Sequence, residues 1–154
     1  MTNPLLLWMY LWAKVPAAAF AGVRLTELDS SRCRTSVPYG WRSTNPFRSI
    51  YFAAQAMAAE LSTGALAMLS VESAAAKNGG SVAFLITGLE ASFGKKANAL
   101  TTFTCEAGDE LFAAVARAVE SGEAQTVRAE TIGRMPDGTE VSRFTFDWSF
   151  KLRH

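Results

Sequence analysis

NPFRSIYFAAQAMAAELSTGALAMLSV, residues 45–71, is a long run of helix formers with no proline beyond its second position. Ala, Leu, Met, Gln and Glu favour a helix, which is predicted to begin near Ser49. From Ser49 to Ser70 it would extend roughly 33 Å, enough to cross a small domain. Past its opening residues and before Ser70 the polar side chains are few: Gln55, Glu60, Ser62 and Thr63. A helix that is apolar on nearly every side belongs in a core.

Glu60 is the odd residue on that helix. A carboxylate in such a place reaches solvent, finds a partner, or sits in an apolar pocket with a raised pKa. An Arg partner at a subunit boundary is the plain structural reading. A perturbed functional carboxylate is the other.

Towards the C-terminus, Lys77-Asn78-Gly79-Gly80 reads as a stop and turn. The second half then reads strand, strand, helix, strand, strand. Ser81–Phe93 opens on an apolar run, Val82 to Ile86, as expected of a strand covered on both faces. A turn over Gly94–Asn98 leads to the β-prone Ala99–Glu106. Gly108–Ser121 puts Leu111, Phe112, Val115, Ala116 and Val119 on one helical stripe. Gln125–Arg134 is a strand, and Met135-Pro136-Asp137-Gly138 is a turn. In the last strand Phe144, Phe146, Trp148, Phe150 and Leu152 alternate with polar residues, so its aromatics face the core.

Towards the N-terminus, Val23–Leu28 and Arg32–Tyr39 are strand-like and flank a turn at Asp29-Ser30-Ser31. Residues 4–23 are strongly apolar but carry Lys14 and Pro16, a poor fit to a signal peptide or a membrane span. A short amphipathic helix, with Trp8, Leu11 and Trp12 laid on the body of the protein, fits better. The expected architecture is α+β, an antiparallel sheet wrapped around one long helix. Residues 1–154 form one domain in this reading, with 1–22 packed on it as an N-terminal helix.

Composition narrows the chemistry. Hydrophobic residues make up 49% of the chain and the net charge is +1, with charges interspersed. Neither nucleic acid nor a charged membrane surface is suggested as a partner. Cys33 and Cys105 stand far apart in sequence with no CxxC motif, which fits a reduced, cytoplasmic protein with buried thiols. The one histidine is His154, the last residue. That argues against Ser-His-Asp and Cys-His catalysis and against His-based metal sites, so no metal or cofactor is expected. Gly88…Gly94-Lys95-Lys96 departs from phosphate-loop spacing and reads as a turn.

Several short motifs carry a resemblance that covers most of the chain. Val15-Pro16-Ala17…Ala21-Gly22-Val23-Arg24-Leu25 is similar to a helix-to-first-strand passage, and Asn45, Ser49, Tyr51, Phe52, Glu60 and Gly64 to a central-helix signature. Phe93-Gly94-Lys95-Lys96-Ala97 and Asp137-Gly138-Thr139-Glu140-Val141 resemble a mid-sheet connection and a last hairpin. Together they resemble the uncharacterised hotdog-fold family of DUF4442 type, related to the phenylacetate-type acyl-CoA thioesterases.

The resemblance implies a hotdog fold, assembled as a homodimer or dimer of dimers, acting on an acyl-CoA. Related thioesterases place an Asn before the helix, a His-Gly-Gly at its start and an acid further along. Asn45 and Glu60 match the first and last as catalytic candidates, while Tyr51 and Phe52-Ala53 replace His-Gly-Gly. Tyr51 and Phe52, with Arg48, Lys95 and Lys96 for the CoA phosphates, are the implied substrate-binding residues. The expected activity is hydrolysis of a fatty or aryl acyl-CoA. The alternative is a non-catalytic hotdog module that binds acyl thioesters or lipids.

Overall fold

The computed structural model describes residues 3–153, so His154 lies outside the described residues. In chain order the elements are α1 (Pro4–Lys14), α2 (Pro16–Phe20), β1 (Arg24–Leu28), β2 (Cys33–Val37), α3 (Phe52–Asn78), β3 (Ser81–Phe93), β4 (Thr101–Cys105), α4 (Gly108–Ser121), β5 (Gln125–Arg134) and β6 (Glu140–Arg153).

The long helix, α3, begins at Phe52 and not near Ser49. Asn45 is the reason. Its Oδ1 accepts from the Phe47 N–H at 3.0 Å, the Ser49 N–H at 3.2 Å and the Ser49 hydroxyl at 3.2 Å. These bonds close residues 45–49 into a turn, in which Arg48 sits at a φ of 58°, outside helical space. At the other end Gly79, with a φ of 68°, caps the helix by donating its N–H to the Ala75 carbonyl at 2.9 Å. The 27 residues between span about 40 Å.

By length and composition α3 could cross a bilayer, yet it is the axis of the core. Ala54, Ala58, Ala59, Leu66 and Ala67 are all buried on it. Such small side chains bring the sheet close enough for polar groups to reach across. Thr35 on β2 donates to the Ala58 carbonyl at 2.6 Å, and Ser142 on β6 donates to Gln55 Oε1 at 2.7 Å. Ser62 and Thr131 on β5 join their hydroxyls at 2.7 Å. Each bond satisfies a buried group that would otherwise cost about 1–3 kcal/mol.

The sheet has six strands in the order β1-β2-β4-β5-β6-β3, and every neighbouring pair is antiparallel. On β6, Phe144, Phe146, Trp148 and Phe150 are buried and alternate with partly exposed polar residues, as the sequence predicts. On α4, Leu111 and Val115 are buried together with Ala114 and Ala118, whereas Ala116 is exposed, so the inward stripe is turned slightly from its predicted position. Cys33 and Cys105, distant in sequence, face each other across β2 and β4 as buried free thiols.

Two further expectations need correction. β3 is not covered on both faces: Val82 is its one buried residue, and the strand also ends the sheet, pairing only with β6. Its Leu85 and Leu89 are 59% and 54% exposed. On α1 only Leu11 is buried, while Trp8 and Trp12 are 54% and 40% exposed. Leu7 and Leu11, four residues apart, take the inward side, which carries the tryptophans away from the body.

Candidate active site

Glu60 projects from α3 into a cavity of about 310 Å³ that α1 roofs with Leu7, Tyr10 and Leu11. Leu25, Phe84 and Trp148 supply apolar walls. Among the described residues no side chain forms a salt bridge with its carboxylate, and the group is largely withdrawn from water. Burial pushes its pKa above the ordinary carboxylate value of 4.5. Within one chain Glu60 therefore sits in an apolar pocket.

Gly64, one turn further along α3, gives that carboxylate its room. A Cβ there would stand 2.9 Å from Glu60 Oε1 and 3.3 Å from the Trp148 ring. Acid and indole thus lie together over a bare patch of helix. Trp148 is held in place by its own donor, which reaches Thr63 Oγ1 at 3.0 Å.

A second concavity, a more open cleft of about 810 Å³, lies at the start of α3. It brings together Asn45, Tyr51, Phe52, Lys95 and Lys96, five of the residues singled out from sequence. Glu60 is not among its lining residues; it stands eight positions along α3 from Phe52, about 12 Å. Arg48 is exposed and does not line the cleft.

The cleft's polar groups are partly engaged already. Asn45 Oδ1 holds the turn, which leaves its amide N–H groups as donors. The Tyr51 N–H donates to the Ser43 carbonyl at 2.7 Å. The first N–H groups of α3 without an intrahelical acceptor are therefore those of Phe52 and Ala53, at the positive end of the helix dipole. The rings of Tyr51, Phe52 and Phe93 crowd the mouth, with centroids 5.0 Å and 6.4 Å apart in successive pairs. Lys96 Nζ donates to the Phe47 carbonyl at 3.1 Å and so fastens the turn across the cleft.

Sequence reasoning missed Trp148, Gly64 and the α1 roof as parts of one site. The available signal was a glycine four residues after the acid in an otherwise alanine-rich helix. Trp148 reads from its alternation only as core. Among the described residues no cluster of His, Cys, Asp and Glu is placed to hold a metal ion.

An antiparallel six-stranded sheet curled around one long helix is the hotdog fold. A protein of unknown function from Pseudomonas aeruginosa, described as a probable thioesterase, superposes with a TM-score of 0.82 at 20% identity, covering 99% of both chains. A thioesterase from Haemophilus influenzae gives 0.65 at 12% identity over 97% of this chain and 91% of its own. A mutant thioesterase from Pseudomonas aeruginosa gives 0.66 at 13% over 99% and 97%. Among curated proteins none matches. Within the fold the chain belongs to the DUF4442 family, a domain of unknown function whose model matches residues 5–150.

Proposed function

We propose that this protein hydrolyses the thioester of a fatty or aryl acyl-CoA, with Glu60 as the base. One observation carries the reading: a carboxylate without a cationic partner among the described residues, set in an apolar cavity beside Trp148. A carboxylate whose pKa is raised toward the working pH is a better proton acceptor than an ordinary one. The cavity is of a size and apolarity to receive an acyl group.

In this reading Glu60 takes a proton from water, the hydroxide attacks the thioester carbon, and the C–S bond breaks. The proton passes from Glu60 to the departing CoA thiolate. The Phe52 and Ala53 amides polarise the thioester carbonyl. Asn45 orients water or substrate through its amide N–H groups. Tyr51 and Phe52 wall the substrate, and Arg48, Lys95 and Lys96 receive the CoA phosphates.

Cleft and cavity are joined between subunits. The long open edge of β3, with Leu85 and Leu89 exposed beside it, suits pairing with a second copy in a homodimer or dimer of dimers. One subunit's Glu60 then serves its partner's cleft. Two buried, free thiols suit a reducing compartment such as the cytoplasm.

The crowding of Tyr51, Phe52 and Phe93 at the cleft mouth favours the second reading, a module that binds acyl thioesters without cleaving them. Thiol release from short, long and aryl acyl-CoAs by wild type and Glu60→Gln separates the two. Turnover that falls about 100-fold in the variant supports hydrolysis by Glu60. No turnover by either protein, with acyl-CoA still bound, supports the module.

A further inference from the structure

The cavity beside Glu60 is longer than a reacting group alone needs. Its floor is a stripe of α3 on which Glu60, Gly64, Ala65, Met68 and Leu69 all line the space. Next to the acid that floor is bare, first at Gly64 and then at Ala65. Met68 fills it eight residues past Glu60, about 12 Å along the helix axis. There the hydroxyl of Tyr10 on α1 donates to Met68 Sδ at 3.6 Å. The two side chains are 41% and 36% exposed, so their bond closes roof onto floor where the cavity meets the surface.

Length and volume select the same occupant. An extended alkyl chain advances roughly 1.2 Å per bond, so about 12 Å of floor takes about ten carbons. At roughly 30 Å³ per chain atom, the share of one water in the liquid, 310 Å³ also holds about ten. Past the acid the lining offers such a chain little but apolar contact. The Tyr10 hydroxyl and the Trp148 N–H are already donated, and Glu72 at the far end is exposed. An aryl ring is shorter and rigid. It would leave the Met68 end empty, and an apolar void forfeits the contacts of its lining.

We propose that the cavity beneath α1 is a subsite for a linear, saturated alkyl chain of about ten carbons, and that Tyr10 and Met68 set its length limit. That the chain's reactive end lies at Glu60 rests on the thioesterase reading. The length limit rests on the cavity alone.

The test is titration calorimetry of the full chain with non-cleavable S-alkyl thioethers of CoA, butyl to tetradecyl, and with the matching primary alcohols. Affinity should rise about fourfold per methylene, the worth of a buried CH₂, as far as decyl, and fall beyond it. Met68→Ala and Tyr10→Ala should bind the tetradecyl ligands about tenfold or more tighter than wild type does, the worth of two methylenes. Butyl binding should not change. Ala65→Met fills the middle of the floor and should cost the decyl ligands about tenfold or more, with circular dichroism unchanged. No binding of any chain by wild type, or affinity that climbs unbroken to tetradecyl, overturns the proposal. So does a decline that neither alanine variant relieves, or tighter binding of phenylbutanol than of decanol. Hydrolysis enters none of these readouts. Alcohols that show the length limit while the thioethers fail to bind would support the subsite and overturn only the CoA reading.

Discussion

The indole N–H of Trp148 on β6 donates to Thr63 Oγ1 on α3 at 3.0 Å, within the buried core. Thr63 in turn donates to the Glu60 carbonyl at 3.1 Å, so the wall of the cavity and the backbone beneath its acid are fastened together. Replacing Thr63 with Val keeps the shape and strands the indole donor. The expected cost is about 1–3 kcal/mol, read as a lower midpoint in urea with an unchanged slope. Thr63→Ser should recover most of it. Equal stability of the Val and wild-type proteins would mean that the bond contributes nothing net.

Much of this frame is legible in the sequence. The alternation Phe144–Leu152 gives both a strand and its buried face, because a period of two admits no other regular element. The start of α3 is harder to read, because Asn45 holds its turn through a side-chain acceptor that competes with helix geometry. β3 misleads for a different reason. A continuous apolar run looks alike whether its second side is covered or left exposed, as Leu85 and Leu89 are. Glu60 is conspicuous in sequence, but its surroundings come from α1, β3 and β6, and no local pattern reports such contacts.

Glu60 sets a pH dependence whose sign follows from its burial. Its folded pKa is raised above the ordinary 4.5, so the folded state holds the proton more tightly than the unfolded one. The stability that comes from this protonation is fully present below pH 4.5 and is lost as pH rises through the folded pKa. Glu60→Gln, which stays neutral, should therefore melt above wild type at pH 7. The gap should close as pH falls below 4.5. A gap that is constant across this range would show that the carboxylate is well solvated.

Gly64→Ala tests the same site without touching the acid. Removing a glycine from a helix interior is worth roughly 0.5–1 kcal/mol. The new methyl would stand 2.9 Å from Glu60 Oε1 and 3.3 Å from Trp148, so the carboxylate must swing aside. The expected outcome is thermal stability equal to or above wild type, with about tenfold or greater loss of any thioester hydrolysis, in the range of a misplaced general base. Wild-type turnover in a well-folded Gly64→Ala protein would remove the carboxylate's present position from the mechanism.

The edge of β3 is the place to test assembly. Leu85→Lys/Leu89→Lys puts two charges beside an open strand edge, a device by which natural sheets keep their edges apart. Light scattering should give a smaller particle than wild type, while circular dichroism is retained. If the variant keeps the wild-type mass, the copies meet elsewhere.

Cys33 and Cys105 face each other across β2 and β4, with no solvent exposure at either residue. Burial pushes both thiols up, Cys105 to about 11, so almost none of the reactive thiolate exists at neutral pH. A thiol reagent can act only when the two strands part. The pair is thus a native chemical clock: its labelling rate times the opening of the sheet at that seam, with no introduced probe.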